Sequence, residues 1–231
     1  MKHLITLFIL GALAPLSALA QKTEVSINLN SGLYAYGGDA TTSVSRINGT
    51  VYTNNPYGTR GGLSYGLSFN AKRVTRGNFV FGADLGYEML RSKVKLDYMD
   101  VIGDIASNFE GRTYLNTSFI NLFPYLGGRF RVSEQAFDLV GGADLGYILS
   151  AREKGDAKSV DNSSFHIETD RDRKNLKTDF RPRIQLSTRF DQVGAYVGYA
   201  QGVKDYKAGM VGGPTGAYSR MWRVGLSYYL K

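Results

Sequence analysis

The chain has 231 residues with 28 Lys and Arg, 20 Asp and Glu, and a formal net charge of +8. A chain of this length accommodates one domain of roughly 200 residues or two small ones. It contains no Cys, so a disulfide scaffold, a thiolate metal site and a Cys nucleophile are excluded. Only one His, His166, lies outside the N-terminal segment, which excludes a multi-His metal centre. The sequence therefore points to no cofactor and no metal.

The first twenty residues have the pattern of a secretory signal peptide. Lys2 precedes an apolar run over residues 4–13, and the segment closes with the small-x-small sequence Ala18-Leu19-Ala20. A membrane-anchor helix is the alternative, but the run is shorter than the ~20 apolar residues that span a bilayer. We predict a signal peptide over residues 1–20, cleavage before Gln21, and one domain over residues 21–231.

The rest of the chain shows apolar residues at every second position rather than helical periodicity. Such alternation is typical of strands that bury or expose one face only. Eight runs follow it: 25–35, 63–71, 79–89, 120–130, 137–149, 180–190, 193–199 and 222–230.

The connections between these runs alternate in length. Three are short (73–78, 131–136 and 191–192) and four are long and polar (37–60, 92–112, 151–177 and 204–218). Short turns on one side and long loops on the other are typical of bacterial outer-membrane barrels. The sequence thus predicts an all-β fold, an eight-stranded antiparallel up-and-down transmembrane β-barrel, with both chain ends in the periplasm.

The polarity of the two strand faces separates a membrane barrel from a soluble, lipocalin-like one. A charge facing lipid at the bilayer midplane costs roughly 2–4 kcal/mol, so a membrane barrel is apolar outside and polar inside. The eight apolar faces contain no Asp, Glu, Lys or Arg, whereas the opposite faces are rich in glycine, which cannot fill an apolar core. Those opposite faces also carry the charged residues Lys72, Asp84, Glu88, Asp144, Arg181, Arg183, Arg189 and Arg223.

Aromatic and basic residues lie near the ends of the runs. Phe flanks the short turns, and Tyr34, Tyr87, Tyr114, Tyr147 and Tyr199 lie near the long connections, as in the aromatic girdles of membrane barrels. We expect these rings at the two headgroup levels. The basic residues near the short turns are expected to face anionic headgroups or cell-wall polymers: Lys72, Arg73, Arg76, Arg129, Arg131 and Arg189.

Several segments resemble one known family. Gly-Ala-Asp-Leu-Gly-Tyr occurs at residues 82–87 and again at 142–147, Phe-Ile-Asn-Leu-Phe-Pro-Tyr-Leu-Gly at 119–127, and Gly-Leu-Ser-Tyr-Tyr-Leu at 225–230. With the signal peptide, these segments resemble the PorT-like outer-membrane β-barrel family, which is abundant in Bacteroidetes. The resemblance covers nearly all of residues 21–231 and implies an eight-stranded outer-membrane protein. It transfers no catalytic residue, and the roles of the family's members are diverse.

The inward charges are the candidate site. We predict that Asp84, Glu88, Asp144, Arg181 and Arg183 form a cross-lumen charge network that plugs the barrel, since eight strands leave an interior just wide enough for side chains. A narrow path for ions or solutes is the alternative.

The long connections offer little chemistry. His166, with Ser163, Ser164 and Glu168 nearby, is the only candidate for a lipid-modifying triad, but a long loop is a poor scaffold for one. We therefore expect no enzyme. Residues 152–177 mix both charge signs, which argues against nucleic-acid binding and favours a solvated loop, with a partner or ligand surface as the alternative. The predicted role is structural or interactive, for a monomer in outer-membrane lipid that touches another envelope protein or a surface ligand.

Overall fold

The computed structural model describes residues 20–47, 53–99, 107–160, 166–209 and 214–230. The predicted signal peptide therefore lies outside the described residues except for Ala20. No helix in these ranges is long and apolar enough to cross a membrane. The described elements are strands: β1 (Ala20–Gly37), β2 (Val44–Ile47), β3 (Arg60–Thr75), β4 (Phe79–Met99), β5 (Ser107–Val132), β6 (Gln135–Ser159), β7 (His166–Asp172), β8 (Thr178–Phe190), β9 (Val193–Gln201) and β10 (Tyr218–Tyr229).

The strands close into a ring. β1 pairs antiparallel with both β3 and β10, β4 joins β3 to β5, β6 joins β5 to β8, and β9 joins β8 to β10. The ring has no free edge, so every strand in it has two hydrogen-bonded neighbours. Two short strands are attached at its rim, β2 parallel to β4 and β7 antiparallel to β6.

Three tight turns, at residues 76–78, 133–134 and 191–192, define what we call the turn end of the ring. Each has one non-glycine residue in the left-handed region, Asn78 (φ 63°), Ser133 (φ 56°) and Asp191 (φ 51°). Asn, Asp and Ser tolerate or favour such turn positions better than β-branched residues do. The opposite, or loop, end carries the connection 38–59 (L1) and the connection 202–217 (L4).

The alternation of the strand faces agrees with the predicted runs. Leu29, Leu67 and Leu226, which are cross-strand neighbours on the outside, are 64%, 45% and 60% exposed. Between them, Asn28 and Ser68 face inward and are buried. The ring therefore has an apolar outside and a polar inside.

Two of the predicted long loops are wrong, because the structure continues the ring strands through them. β4 runs to Met99, β5 starts at Ser107, and β6 runs to Ser159 and pairs with β7. The prediction failed because the two faces exchange their polarity there: the outward positions become charged and the inward ones become small or apolar. Along 151–158 the outward positions are charged (Arg152, Lys154, Asp156, Lys158) and the inward ones are Ala151, Glu153, Gly155 and Ala157.

These extensions form a small sheet beyond the apolar outside, which we call the outer extension. Its buried core consists of Ile47, Leu96, Phe109, Ala157 and Ile167. It includes most of the segment that was expected to be a solvated loop.

The predicted positions of several end residues are also wrong. Tyr34 faces the lumen and is fully buried, because it has the opposite parity to Leu33 on β1. Tyr87 and Tyr147 do face outward, at 41% and 52% exposure. Lys72, Arg129 and Arg189 do not face headgroups: they turn inward, where carboxylates pair with them.

Candidate functional site in the lumen

An ion-pair layer crosses the middle of the lumen. The Arg181 guanidinium lies 3.3 Å from Glu88 Oε2 and 3.6 Å from Asp144 Oδ2. Arg183 Nη1 is 3.2 Å from Asp144 Oδ1, and Arg223 Nη2 is 2.6 Å from Glu88 Oε1. All five side chains are buried, and a buried charge is tolerated when it is paired and hydrogen-bonded.

The strand register places these groups. Asp144 on β6 is directly opposite Arg181 on β8. Within the repeated hexapeptide, Asp84 and Asp144 both face inward, while the following Leu85 and Leu145 face outward. The repeat thus delivers one carboxylate to the lumen from each of two strands.

Four of the five predicted network residues, Glu88, Asp144, Arg181 and Arg183, are brought together. The fifth, Asp84, is buried and accepts a hydrogen bond from Asn28 Nδ2 at 2.8 Å. The network prediction omitted Arg223, although its position between the outward Trp222 and Val224 already showed that it faces inward.

Aromatic rings support the guanidinium groups. Arg183 lies 4.0 Å from the ring centroid of Phe123, and Arg181 lies 4.8 Å from that of Phe119. A guanidinium stacked on a ring keeps a favourable contact on the face where it has no hydrogen-bond donor. These inward Phe residues were not predicted: Phe119 precedes the run 120–130, and Phe123 lies on the face of that run opposite to the apolar one.

A second ionic layer closes the turn end. Lys72 Nζ lies 3.1 Å from Glu24 and 2.6 Å from Asp138. Arg129 bridges the same two carboxylates, at 3.3 Å from Glu24 and 2.6 Å from Asp138. Arg189 approaches Glu24 at 3.6 Å. Three cations thus share two carboxylates in this layer.

The loop end is closed by an aromatic layer that the sequence did not predict. The layer consists of Tyr34 and Tyr36 from β1, Tyr57 from L1 and Tyr206 from L4. The ring centroid of Tyr36 lies 5.1 Å from that of Tyr57 and 5.0 Å from that of Tyr206. The Tyr206 hydroxyl donates to Asp179 at 2.8 Å, which ties the layer to the strands. The described parts of both loops therefore fold inward.

Little space remains between the layers. A cavity of about 10 Å³ lies beside Glu88 and Arg223, and one of about 20 Å³ beside Asn70 and Tyr229. A cavity needs about 10–15 Å³ to admit a single water molecule. Larger vestibules open at the two ends, about 270 Å³ beside Arg189 at the turn end and about 280 Å³ beside Tyr57 at the loop end.

The predicted catalytic candidate is not part of these layers. His166 begins β7 in the outer extension, its side chain is 38% exposed, and its Nε2 lies 3.4 Å from Glu168. Ser163 and Ser164 lie outside the described residues. Within the described ranges, no group of three or more His, Asp or Glu side chains is placed to hold a metal ion.

No family model and no curated protein matches the chain. Among solved structures, the chain is similar to Neisserial surface protein A, with 7% identity, a TM-score of 0.34, and coverage of 90% of this chain and 99% of that one. It is also similar to the translocator domain of the autotransporter NalP from Neisseria meningitidis, with 13% identity, a TM-score of 0.23, and coverage of 98% and 97%.

Proposed function

We propose that this chain is an integral outer-membrane protein with a closed lumen and a structural or interaction role. In this proposal residues 1–20 are removed as a signal peptide, and residues 21–231 form an eight-stranded antiparallel up-and-down transmembrane β-barrel that is monomeric. The turn end and both chain ends face the periplasm. The outer extension and the L1 and L4 loops face outward.

The apolar outer belt carries this proposal. Large apolar side chains that stay exposed on every ring strand would be unfavourable in water, and contiguous apolar surface of this kind marks contact with lipid or a partner. A membrane barrel needs this band around its whole circumference. Each ring strand contributes a residue at least 39% exposed: Leu29, Leu67, Leu85, Leu122, Leu145, Ile184, Val197 and Leu226.

A charge placed in the belt tests the membrane assignment. Leu29→Arg puts a guanidinium between Leu67 and Leu226, and the expected cost in a bilayer is roughly 2–4 kcal/mol of folding free energy. Val160→Arg is the matched control, because Val160 is 58% exposed but lies in the outer extension. Folding into lipid vesicles is followed by the change in SDS gel mobility on boiling.

The membrane assignment predicts that Leu29→Arg folds poorly in vesicles while Val160→Arg folds like the unmodified protein. Equal folding of the two variants, or an unmodified protein whose gel mobility does not change on boiling, would contradict it.

The packed lumen supports a role in contact rather than in transport. The small cavities between the layers leave no room for a hydrated solute. The outer extension, in contrast, is an ordered sheet with its own apolar core, and it presents charged side chains such as Arg152, Lys154 and Asp170 to the outside. We propose that this surface contacts another envelope component.

Co-purification from outer membranes in mild detergent tests the interaction role. A stoichiometric envelope protein should accompany the tagged chain. This partner should be lost when Arg152, Lys154 and Asp170 are replaced by Ser. It should be retained when the exposed turn residue Arg76 is replaced by Ser. A chain that purifies alone, with nothing captured by cross-linking in intact cells, would contradict this role.

The proposal gives His166 no catalytic role. A base must be held in fixed geometry next to its nucleophile, and His166 is an exposed residue at the start of a rim strand. His166→Ala should therefore change no activity. If the purified protein hydrolyses acyl or peptide bonds and His166→Ala abolishes that hydrolysis, the lipid-modifying alternative is favoured.

A further inference from the structure

The vestibule at the loop end is formed by three separate segments of the chain. Residues 54–57 of L1, residues 171–175 at the end of β7 and directly after it, and Lys207 of L4 enclose a cavity of about 280 Å³. None of these segments is part of the ring, and they meet only because L1 and L4 fold inward.

The lining of this vestibule is strongly cationic. Arg171, Arg173, Lys174 and Lys207 line it together with a single carboxylate, Asp172. Arg173 is paired with the buried Glu153, at 2.7 Å. The lining thus has four cations to one carboxylate, and it keeps an excess of positive charge even with Glu153 paired to Arg173 and Asp205 close to Lys207.

Hydrogen bonds between the segments hold the walls of the vestibule in place. Asn175 Nδ2 donates to the Tyr206 carbonyl, and the Tyr57 hydroxyl donates to the same carbonyl at 3.2 Å. Burial raises the pKa of Tyr57 to about 12, opposed by nearby Arg173, so this hydroxyl adds no negative charge at neutral pH. A wall whose backbone is already held in place loses less conformational entropy when an anion binds.

The vestibule also lies close to the edge of the apolar belt. Lys174 Nζ donates to the Leu149 carbonyl at 3.1 Å and lies 5.8 Å from the ring centroid of Tyr147. Leu149 and Tyr147 are outward-facing and exposed. Interfacial Tyr and Lys mark the headgroup level of a bilayer.

We propose that this vestibule binds a phosphate group, carried either by a soluble saccharide or by a lipid headgroup of the outer leaflet. Arg and Lys together are the side chains that suit a multiply charged oxyanion, through charge-assisted hydrogen bonds. Phosphate binding as such does not depend on the membrane. The lipid source rests on the function proposed above.

Calorimetric titration of the folded chain in zwitterionic detergent tests the site, with glucose 6-phosphate as the probe and glucose as the uncharged control. We expect saturable binding of the phosphate sugar only, weakened by added salt. The combined variant Arg171→Gln and Lys207→Gln should weaken it about tenfold or more, since each lost contact is charge-assisted. Asp172→Asn should strengthen it.

Lys204→Gln is the matched control. Lys204 belongs to the same loop, is exposed, and donates to Thr178 Oγ1 at 2.6 Å, outside the lining of the vestibule. Its loss should change affinity by no more than about twofold, as for other exposed charges. Absent binding, equal binding of glucose, or affinity unchanged in the combined variant would overturn the proposal. The heat-dependent gel shift shows separately whether each variant is a folded barrel.

Nanodiscs distinguish the two sources of phosphate. Discs of phosphatidic acid carry phosphate monoesters, and discs of phosphatidylglycerol carry a comparable negative charge as diesters. Weaker glucose 6-phosphate binding in the phosphatidic acid discs alone assigns the site to a lipid headgroup. Equal binding in both assigns it to a soluble phosphate saccharide.

Discussion

Inward-facing glycines of the ring make room for aromatic rings from neighbouring strands. A Cβ atom built on Gly225 would overlap the ring of Tyr196, and one on Gly146 would lie 2.9 Å from the ring of Phe119. Glycine is unfavourable in strand interiors unless another group must approach closely. On the inner faces, aromatic rings therefore pack into the space that the glycines leave.

Gly225→Val tests this arrangement. Valine favours strands, but the clash with Tyr196 should destabilise the fold by about 1–3 kcal/mol, as for other overpacked sites. Gly141→Val is the control, because a Cβ there meets nothing within 4 Å. Urea unfolding in vesicles, followed by Trp222 fluorescence, measures both variants. Equal stabilities would contradict the packing account, and Tyr196→Ala should restore part of the loss in Gly225→Val.

Arg181 is the cation on which the central layer depends most. Arg181→Gln leaves Glu88 and Asp144 short of a positive charge in a buried site, for which the expected loss is about 3–5 kcal/mol of unfolding free energy. Arg76→Gln, in an exposed turn, should change it by no more than about 0.5 kcal/mol. The same urea titration measures both. A stable Arg181→Gln protein would show that water, rather than the ion pairs, solvates these carboxylates.

At the scale of elements, the sequence predicted the ring strands well and their ends poorly. Alternation within the belt is easy to read because the outer face there is apolar throughout, as the proposed contact with lipid requires. Beyond the belt, the outside of β6 is charged, and a register shift after Leu149 moves the outward positions to even-numbered residues such as Arg152 and Lys154. The strand continues while its pattern inverts, and a search for apolar alternation ends too early.

The inward folding of the loops was not predictable in the same way. Tyr57 and Tyr206 lie in segments whose composition suggests only polar connections. Their burial depends on contacts with Tyr36 and with each other, which are distant in sequence. The aromatic layer is thus a property of the closed ring, and no local pattern encodes it.

One carboxylate joins the beginning and the end of L4. Asp205 accepts hydrogen bonds from the backbone N–H groups of Lys207, Gly216 and Ala217, at 2.9, 2.9 and 2.8 Å. Burial acts to raise the pKa of Asp205, but these N–H groups outweigh it and leave the pKa below its ordinary value. A lowered pKa means that the ionised form stabilises the folded loop. That stabilisation is present above the unfolded pKa of about 4 and is lost as the pH falls through the lower, folded value.

Asp205→Asn should therefore loosen L4 at neutral pH, and the amide hydrogens of Gly216 and Ala217 should exchange about tenfold faster, as expected for the loss of a charge-assisted hydrogen bond. Hydrogen exchange measured by mass spectrometry on the folded protein checks this. Asp191→Asn, at an exposed position of the turn end, is the control and should leave exchange in L4 unchanged. Unchanged exchange in Asp205→Asn would show that the Tyr206 contacts alone hold the loop.

At the scale of the whole molecule, the layers lie in series along one lumen. The turn-end cluster of Glu24, Lys72 and Asp138, the central cluster around Arg181, and the aromatic layer around Tyr206 each fill the cross-section by different chemistry. Sequence analysis predicted the polar lumen and part of the central cluster. It did not predict the order of the layers, which follows from the registers of all ring strands together.

A lumen closed in series should not conduct, and removal of one layer should not open it. We expect no single-channel steps from the protein in planar bilayers, and none from Tyr206→Ala, because both ionic layers still block the path. A pore gated by L4 would behave differently. It would not conduct in the unmodified protein and would conduct in Tyr206→Ala. Steady steps from the unmodified protein would instead favour the narrow-pore alternative, with the ion pairs acting as a selectivity lining rather than as a plug.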